Sequence, residues 1–341
     1  MKLAPILISL GVAGAIATGA AIQINQHPTV TLPNGLIVPG RILFAENFDG
    51  TSLDTTKWTV EDDLVSALLE HGSPFGCVRH ENVSVSGGQL HLTMSSNVRA
   101  NCPQTWSVNA YYTANFAASF PSPSGSSFDT ASISMKKFHA RFGHIFVSAK
   151  FSGGTSPWSA ILLWGSDCQP GGAMHNLMAG IFTQAGTACN WPAPGSNEFD
   201  IPSYVHSDSS GTDQIIAALH LGPGNGAPFL RNFGTIPYYG SEFAPHLDVA
   251  GYQPYVTTTI PADPSTGFHL YELIWGPNYY EWRVDGQIGG QNPAAWVTTD
   301  HMFMQLWNVD NSGTVAGLPQ TMDVDWVYWI CQPGTPCDSS G

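Results

Sequence analysis

Short apolar runs that alternate with polar residues dominate the chain from about residue 42 onward. The alternation is clearest in Gln89–Met94, His144–Phe151, Tyr271–Trp275 and Tyr279–Asp285. A period of two over four to eight residues is the signal of a half-buried β-strand. Clusters of Gly, Pro, Ser, Asn and Asp separate these runs, as turn residues do. No long helical period is present, so the pattern predicts an all-β sandwich or jelly roll.

The same pattern predicts one large domain with short flanking segments. We expect a signal peptide over residues 1–21, a linker or N-terminal segment over 22–41, the domain over 42–332 and a C-terminal tail over 333–341. A chain of 341 residues could hold two average domains. All-β sandwiches, however, often exceed roughly 200 residues as one domain. Neither an internal repeat nor a composition change after residue 42 marks a second domain.

The N-terminus has the features of an export signal. Lys2 is followed by an apolar run over residues 3–17, and small residues at Ala17, Gly19, Ala20 and Ala21 offer a cleavage site. The run is shorter than a comfortable membrane span. We therefore predict a secreted, extracellular protein with no membrane attachment after signal cleavage; an uncleaved N-terminal anchor is the alternative.

Six cysteines in an exported chain predict disulfide bonds. Nearest neighbours in sequence give our predicted pairing, which is Cys77 with Cys102, Cys168 with Cys189 and Cys331 with Cys337. No Cys-x-x-Cys motif is present, so zinc-binding or thioredoxin-like chemistry has no support.

Charge narrows the class of partner. Charged residues make up 11% of the chain, against about 25% in typical soluble domains. The surface is therefore covered by neutral polar residues, which suits secreted proteins and neutral sugar ligands. The net charge is −14 with only 11 Lys and Arg residues, and nucleic-acid binding needs basic patches to neutralise phosphates. We predict a monomer that binds a polysaccharide or oligosaccharide and no nucleic acid.

The candidate chemistry lies in Gly195–Tyr204. Glu198 and Asp200 alternate there with Phe199 and Ile201. Side chains at i and i+2 of a strand share a face, so the carboxylates point one way and the apolar pair points the other. Paired carboxylates are the means by which many active sites tune an acid or a nucleophile. An ordinary solvated strand face is the alternative interpretation.

Several segments between residues 42 and 331 resemble glycoside hydrolase family 16, the group of laminarinases, lichenases, agarases and carrageenases. They follow the family's order and are Ala45–Trp58, Gly143–Lys150, Trp158–Trp164, Phe268–Gly276, Trp282–Gly286 and Thr321–Tyr328. The resemblance implies a concanavalin-A-like β-jelly-roll of two packed antiparallel sheets, one of them concave and carrying the active strand. It also implies action on a β-linked glucan or galactan.

The family's active strand reads Glu-x-Asp-x-Glu, or Glu-x-Asp-x-x-Glu with a bulge. By resemblance, Glu198 is the nucleophile and Asp200 assists it. The final glutamate, the family's acid/base, is missing: its place is taken by Pro202 in the straight register or by Ser203 in the bulged one. Retaining glycosidases need two carboxyl groups, one that attacks and one that protonates the leaving oxygen, and neither of these residues can supply the second.

Three explanations of the missing carboxylate remain open. The acid comes from elsewhere, with His206, Asp208 and His220 as candidates. Or the protein cleaves only substrates with good leaving groups, or transfers sugars slowly. Or catalysis has been lost and the protein binds glycans as a lectin does.

Further binding residues follow from sugar chemistry and from the resemblance. Sugars stack their CH faces on aromatic rings, and the expected cleft residues are Trp164, Trp191 and Trp307. His220 and Asn308 resemble family residues on strands of the same cleft. Asp325 occupies the place of an aspartate that helps to hold a structural calcium in some family members. No cofactor is required.

The sequence therefore predicts a secreted glycoside hydrolase or transglycosylase that acts on a β-linked polysaccharide by a retaining mechanism, with Glu198 as nucleophile. A catalytically impaired glycan-binding protein on the same fold is the alternative.

Overall fold

The structure is a computed structural model that describes residues 27–60, 65–66, 76–96, 128–135, 137–154, 157–166, 198–206, 213–220, 244–247, 263–293, 299–310 and 317–340. The predicted signal peptide, Trp191, Asp208 and the two disulfides Cys77–Cys102 and Cys168–Cys189 depend on residues outside these ranges.

The described residues form strands throughout, with one 3₁₀ turn at His80–Asn82. In chain order the strands are β1 (Thr29–Thr31), β2 (Ile37–Pro39), β3 (Arg41–Glu46), β4 (Trp58–Val60), β5 (Val65–Ser66), β6 (Gly76–Val78), β7 (Val83–Ser86), β8 (Gln89–Met94), β9 (Phe128–Met135), β10 (His139–Arg141), β11 (Gly143–Lys150), β12 (Pro157–Gly165), β13 (Glu198–His206), β14 (Asp213–His220), β15 (Ala244–Leu247), β16 (His269–Gly276), β17 (Tyr279–Val284), β18 (Gln287–Pro293), β19 (Met302–Asp310), β20 (Gln320–Cys331) and β21 (Asp338–Ser340). Across these ranges, no helix is long and apolar enough to cross a membrane.

Two large sheets form the body of the domain. The first has the strand order β15-β14-β13-β12-β19-β9-β6-β5, with β4 paired to β9 and β10 joining β19 to β21. The second has the order β18-β17-β16-β11-β20-β8-β7, with β3 paired to β20. Pairing is antiparallel except between β14 and β15 and between β6 and β9, both towards the margins of the first sheet. The predicted all-β jelly-roll sandwich is confirmed.

The core lies between the two sheets and explains the alternation in the sequence. Phe199 of β13 packs edge-on against aromatic rings of the second sheet, with centroids 5.5 Å from Trp275 and 5.7 Å from Tyr280. In β8, Leu90 and Leu92 are fully buried, whereas the alternating polar residues Gln89, His91 and Thr93 are half-buried. Burial of one apolar face from each strand is the main force that holds the sheets together.

A hairpin of β1 and β2 covers part of the second sheet's outer face. Val30, Leu32 and Val38 pack there against a group that includes Phe146 and Trp326. From residue 27 onward, the segment predicted as a linker is therefore packed on the domain.

The C-terminal segment is also held to the domain. Cys331 and Cys337 form a disulfide, which confirms this pair of the predicted pairing. Beyond it, β21 pairs with β10 through residues 338–340 of the predicted tail.

Candidate active site

The paired carboxylates of β13 lie opposite its core-facing residues. Phe199 and Ile201 belong to the inter-sheet core, so Glu198 and Asp200 point to the other side of the first sheet, which we call the site face. Both carboxylate residues are nonetheless buried, with 5% and 7% of their surface exposed. A solvated strand face would leave both carboxylates exposed, so their burial favours a functional site over that interpretation.

A β-bulge follows these carboxylates and decides which residue comes next on the site face. Asp200 pairs with Leu162 and Ser203 pairs with Ala160, so β13 contains one more residue than β12 between these two pairs. The same extra residue appears against β14. Ile201 and Pro202, which are joined by a cis peptide bond, lie between the two pairs. A bulge tolerates a proline because its missing N–H is not needed in the ladder.

The bulge places Ser203, not Pro202, on the site face with Glu198 and Asp200. Ala160, its partner, is two residues from Leu162 and four from Trp164 on β12, so these positions share the face. Ser203 is 1% exposed, and its Oγ has no hydrogen-bond partner among the described residues. Of the two registers that the sequence left open, the structure has the bulged one.

Residues that are paired across neighbouring strands show what surrounds Glu198 and Ser203. Glu198 lies directly opposite Trp164 on one side and His220 on the other. Since paired strands are about 4.8 Å apart, both residues are immediate neighbours of Glu198. Ala160 of β12 pairs with Ser203 on one side and with Trp307 of β19 on the other. The backbone of Trp307 is therefore about two strand spacings, or roughly 10 Å, from that of Ser203.

Trp158 is a site residue that the sequence reasoning missed. It lies on the site face of β12, and its ring meets that of Trp307 edge-on, with centroids 5.6 Å apart. Both tryptophans are half-buried, and neither indole N–H has a hydrogen-bond partner in the described part of the chain. The exposed parts of their rings together offer an aromatic platform on which the CH face of a sugar can stack. The signal was present: Trp158 and Trp164 are six residues apart, an even spacing that puts them on one face of a strand.

A polar pair was also missed on the same face. Gln305 lies two positions from Trp307, and its Nε2 donates a 2.9 Å hydrogen bond to Ser132 Oγ of β9. Both side chains are buried. They could not be found from the sequence, because single Gln and Ser residues in strands carry no motif.

Asn308 does not line the site, and that prediction is wrong. Its side chain is fully buried between the sheets. Nδ2 donates to the carbonyl oxygens of Leu92, at 2.9 Å, and Gln320, at 3.1 Å, and Oδ1 accepts a hydrogen bond from Ser159 Oγ. The reason is parity: Asn308 follows Trp307 in the strand, so the two side chains must point to opposite faces.

The candidates for a replacement acid differ in position. His220 pairs with Glu198, as expected of a neighbour on the adjacent strand. His206 is at the far end of β13, where it pairs with Asp213. At about 3.3 Å per residue, its backbone is more than roughly 20 Å from that of Glu198. This excludes it from the separation of about 5–5.5 Å that a retaining pair requires.

Asp325, the predicted calcium ligand, is the extra residue in a bulge of β20 against β11. Burial raises the pKa of its carboxyl group, and the negative charge of Asp49 raises it further. In the ranges that the structure describes, no three His, Cys, Asp or Glu side chains are grouped so that they could hold a metal ion. Asp325 and Asp49 alone provide too few oxygens for calcium, and the calcium site stays a prediction.

No family model matches the sequence, and no curated protein matches it either. Solved structures do match its fold. The catalytic domain of an endo-1,3-β-glucanase (laminarinase) from Thermotoga petrophila RKU-1 is 18% identical, with 87% of this chain and 100% of that chain covered and a TM-score of 0.54. A non-specific endo-β-1,3(4)-glucanase from family GH16 is 18% identical, with 89% and 98% covered and a TM-score of 0.52.

A third match comes from work on endo-acting O-glycanases with which human gut bacteria initiate mucin breakdown. It is 16% identical, with 90% of this chain and 95% of that chain covered and a TM-score of 0.56. At such identities the likeness establishes the fold alone, since one fold hosts many functions. The chain thus has a fold like that of family GH16.

Proposed function

We propose that the site face binds a β-linked polysaccharide and that Glu198 attacks it as a nucleophile. The observation that carries the proposal is the buried pair Glu198 and Asp200 on one strand face, with Trp164 directly opposite Glu198. That this fold is shared with endo-β-1,3-glucanases supports the choice of substrate class.

In the proposed reaction, a Glu198 carboxylate oxygen bonds to the anomeric carbon while the bond from that carbon to the leaving oxygen breaks. The leaving oxygen departs with the bonding electrons as an anion, and an alkoxide then takes its proton from water. Water then hydrolyses the glycosyl-enzyme, or another sugar hydroxyl accepts the glycosyl group, and the anomeric configuration is retained. Asp200, two residues away on the same face, positions Glu198. The tryptophans of the site face hold the sugar rings.

Ser203 sets the limit of this chemistry. Its hydroxyl stands where the bulged pattern requires an acid, and a hydroxyl does not give up its proton to a leaving oxygen at neutral pH. General acid catalysis is worth about 10²–10⁴-fold. We therefore expect slow cleavage of ordinary glycosidic bonds and faster cleavage where the leaving group needs no proton.

Charge favours a neutral glycan. A chain with a net charge of −14 repels sulfated or otherwise anionic polysaccharides at long range. Among β-linked glycans we therefore propose a neutral β-glucan. We place β-1,3-glucan first because endo-β-1,3-glucanases share the fold.

A second candidate function, glycan binding without turnover, is favoured by the same Ser203. The paired tryptophans Trp158 and Trp307 serve a binding protein as well as an enzyme. Both functions share the ligand and differ in whether a bond is cleaved.

The test compares wild-type protein with Glu198→Gln, which keeps the side-chain shape and removes the nucleophile. Reducing-sugar release is measured on laminarin, lichenan, agarose and carrageenan, and phenolate release on a dinitrophenyl β-laminaribioside. The proposal predicts release from the activated glycoside, slow release from laminarin, and none in the variant. Binding of laminarin by both proteins without release from either would establish the binding function instead.

A further inference from the structure

A second group of reactive side chains lies on the outer face of the second sheet. Ser86 ends β7, His91 lies in β8 and Asp323 in β20, three strands that are neighbours in that order. Ser86 Oγ is 3.0 Å from His91 Nε2, and His91 Nδ1 is 2.8 Å from Asp323 Oδ1. We propose that these three residues form an acyl-transfer triad that hydrolyses short-chain esters, a second activity independent of the site face.

One placement of the His91 ring proton gives these contacts the roles that such a triad needs. With its proton on Nδ1, His91 donates a hydrogen bond to Asp323 Oδ1, which leaves the lone pair of Nε2 directed at the Ser86 hydroxyl. Lys150 Nζ contacts the other carboxylate oxygen of Asp323 at 2.6 Å and fixes its orientation. His91 Nε2 is also 3.2 Å from the Ser86 carbonyl oxygen, which can accept a hydrogen bond from Nε2 only after the ring has taken up a proton.

Exposure differs along the triad as the chemistry requires. Ser86 is exposed, and the His91 side chain keeps 24% of its surface accessible, whereas that of Asp323 keeps 12%. The nucleophile is therefore open to a substrate, while the residue that orients the base is largely covered. A carboxylate shielded from water interacts more strongly with an imidazolium than an exposed one does.

The turn after Ser86 gives a substrate room to approach. Gly87 and Gly88 join β7 to β8 with φ values of +61° and +79°, as a two-residue hairpin turn requires. A Cβ atom built on either glycine would meet nothing within 4 Å. Among the described residues, no backbone–backbone hydrogen bond uses the amide of either glycine. We propose these two N–H groups as donors to the developing oxyanion.

This open surface fits a small acyl group on a larger alcohol. An acetyl ester, such as an O-acetylated sugar, needs no deep acyl pocket. Its carbonyl carbon can reach Ser86 Oγ while its alcohol part stays in solvent.

The proposed steps balance as ester hydrolysis. Ser86 Oγ bonds to the carbonyl carbon as its proton passes to His91 Nε2. The carbon–oxygen bond to the alcohol breaks, and the alcohol leaves with that proton. Water then attacks the acyl-serine and gives a proton to His91. Ser86 regains this proton as the carboxylic acid is released.

The full-length chain is tested with a fluorophosphonate probe, peptide mapping of the adduct, and turnover of p-nitrophenyl acetate. Ser84→Ala is the matched control, because Ser84 is an exposed serine on the same strand and face. We expect a label on Ser86, turnover lost in Ser86→Ala and kept in Ser84→Ala, and labelling at least about 100-fold slower in His91→Gln, the lower end of what a general base contributes.

Two results would overturn the proposal. One is equal acetate turnover by wild type and Ser86→Ala, which is decisive because an exposed Ser86 can be truncated without loss of the fold. The other is the absence of a label on Ser86, or labelling at the same rate in a folded His91→Gln protein. Thermal melts of each variant establish that the folded protein is being compared.

Discussion

Under the proposed function, Ser203→Glu should supply a general acid on β13. Ser203 is on the site face with Glu198, and the bulge gives it the position of the third carboxylate in Glu-x-Asp-x-x-Glu. A glutamate there would place a second carboxyl group near Glu198, at the separation of about 5–5.5 Å expected of a retaining pair. We expect cleavage of laminarin to rise by about 10²–10⁴-fold, which corresponds to about 2.7–5.4 kcal/mol of activation free energy.

The substitution has a structural cost that must be measured beside the gain. Ser203 is 1% exposed, so three additional heavy atoms have to be accommodated, and overpacking of this kind costs about 1–3 kcal/mol of folding free energy. A domain with the usual stability of about 5–15 kcal/mol tolerates this loss. Urea unfolding of the variant gives the actual figure.

Ser203→Gln is the matched control, because it has the same size and no proton to donate. Initial rates are compared on laminarin and on the dinitrophenyl glycoside. The gain should appear on laminarin only, since a dinitrophenolate leaves without a proton. Equal rates on laminarin for folded Glu and Gln variants would refute the assignment of this position.

Four further outcomes follow from individual residues. Trp307→Ala should weaken laminarin binding by roughly tenfold in calorimetry, because an aromatic stacking surface is lost; unchanged affinity would remove Trp307 from the site. Asn308→Ala should lower the free energy of unfolding by roughly 1–3 kcal/mol and leave laminarin affinity unchanged, since Asn308 bonds across the core; the reverse pattern would contradict its placement. Burial and the charge of Asp49 raise the pKa of Asp325, so its charged form opposes folding. Asp325→Asn should therefore raise the Tm at neutral pH, and this gain should vanish below the ordinary pKa of 3.8. A gain that persists in acid would argue for another cause. Burial lowers the pKa of His144 below its usual 6.5, so the folded state resists protonation of this side chain. The protein therefore loses stability as the pH falls from 6.5 through the lowered pKa. Over that interval the Tm of His144→Gln should fall less than that of the wild type.

The sequence predicted the fold well where one strand face is buried. Gln89–Met94 alternates strictly, and the strand has those bounds in the structure. The N-terminal hairpin was missed because its strands are three residues long and each buries a single side chain. A strand of three residues is too short to show an alternation of apolar and polar residues. These two strands are identified only by their packing on the second sheet.

The candidate site was predicted in part, for reasons that concern register. Alternation alone put Glu198 and Asp200 on one face. It could not choose between Pro202 and Ser203, because Ile201-Pro202-Ser203 fits a straight or a bulged strand equally well, and pairing with β12 and β14 decides. The prediction for Asn308 followed the family resemblance. It was wrong because Asn308 and Trp307 are consecutive in a strand and their side chains point to opposite faces.

The serine, histidine and aspartate on the outer face show a different limit. Ser86 and Asp323 are far apart in sequence, and only the order β7-β8-β20 brings them to one histidine. Sequence spacing cannot predict such a contact, because it arises from strand order rather than from any motif.

The most direct test of the proposed function is to trap a glycosyl group on Glu198. Wild-type protein is mixed with the dinitrophenyl β-laminaribioside, quenched in acid and analysed by intact mass and peptide mapping. With Ser203 in place of a general base, water is activated poorly, so the intermediate should accumulate as one disaccharide per chain on Glu198 and be absent from Glu198→Gln. Folded wild-type protein that releases no phenolate and carries no adduct, or an adduct on another residue, would contradict a nucleophilic Glu198.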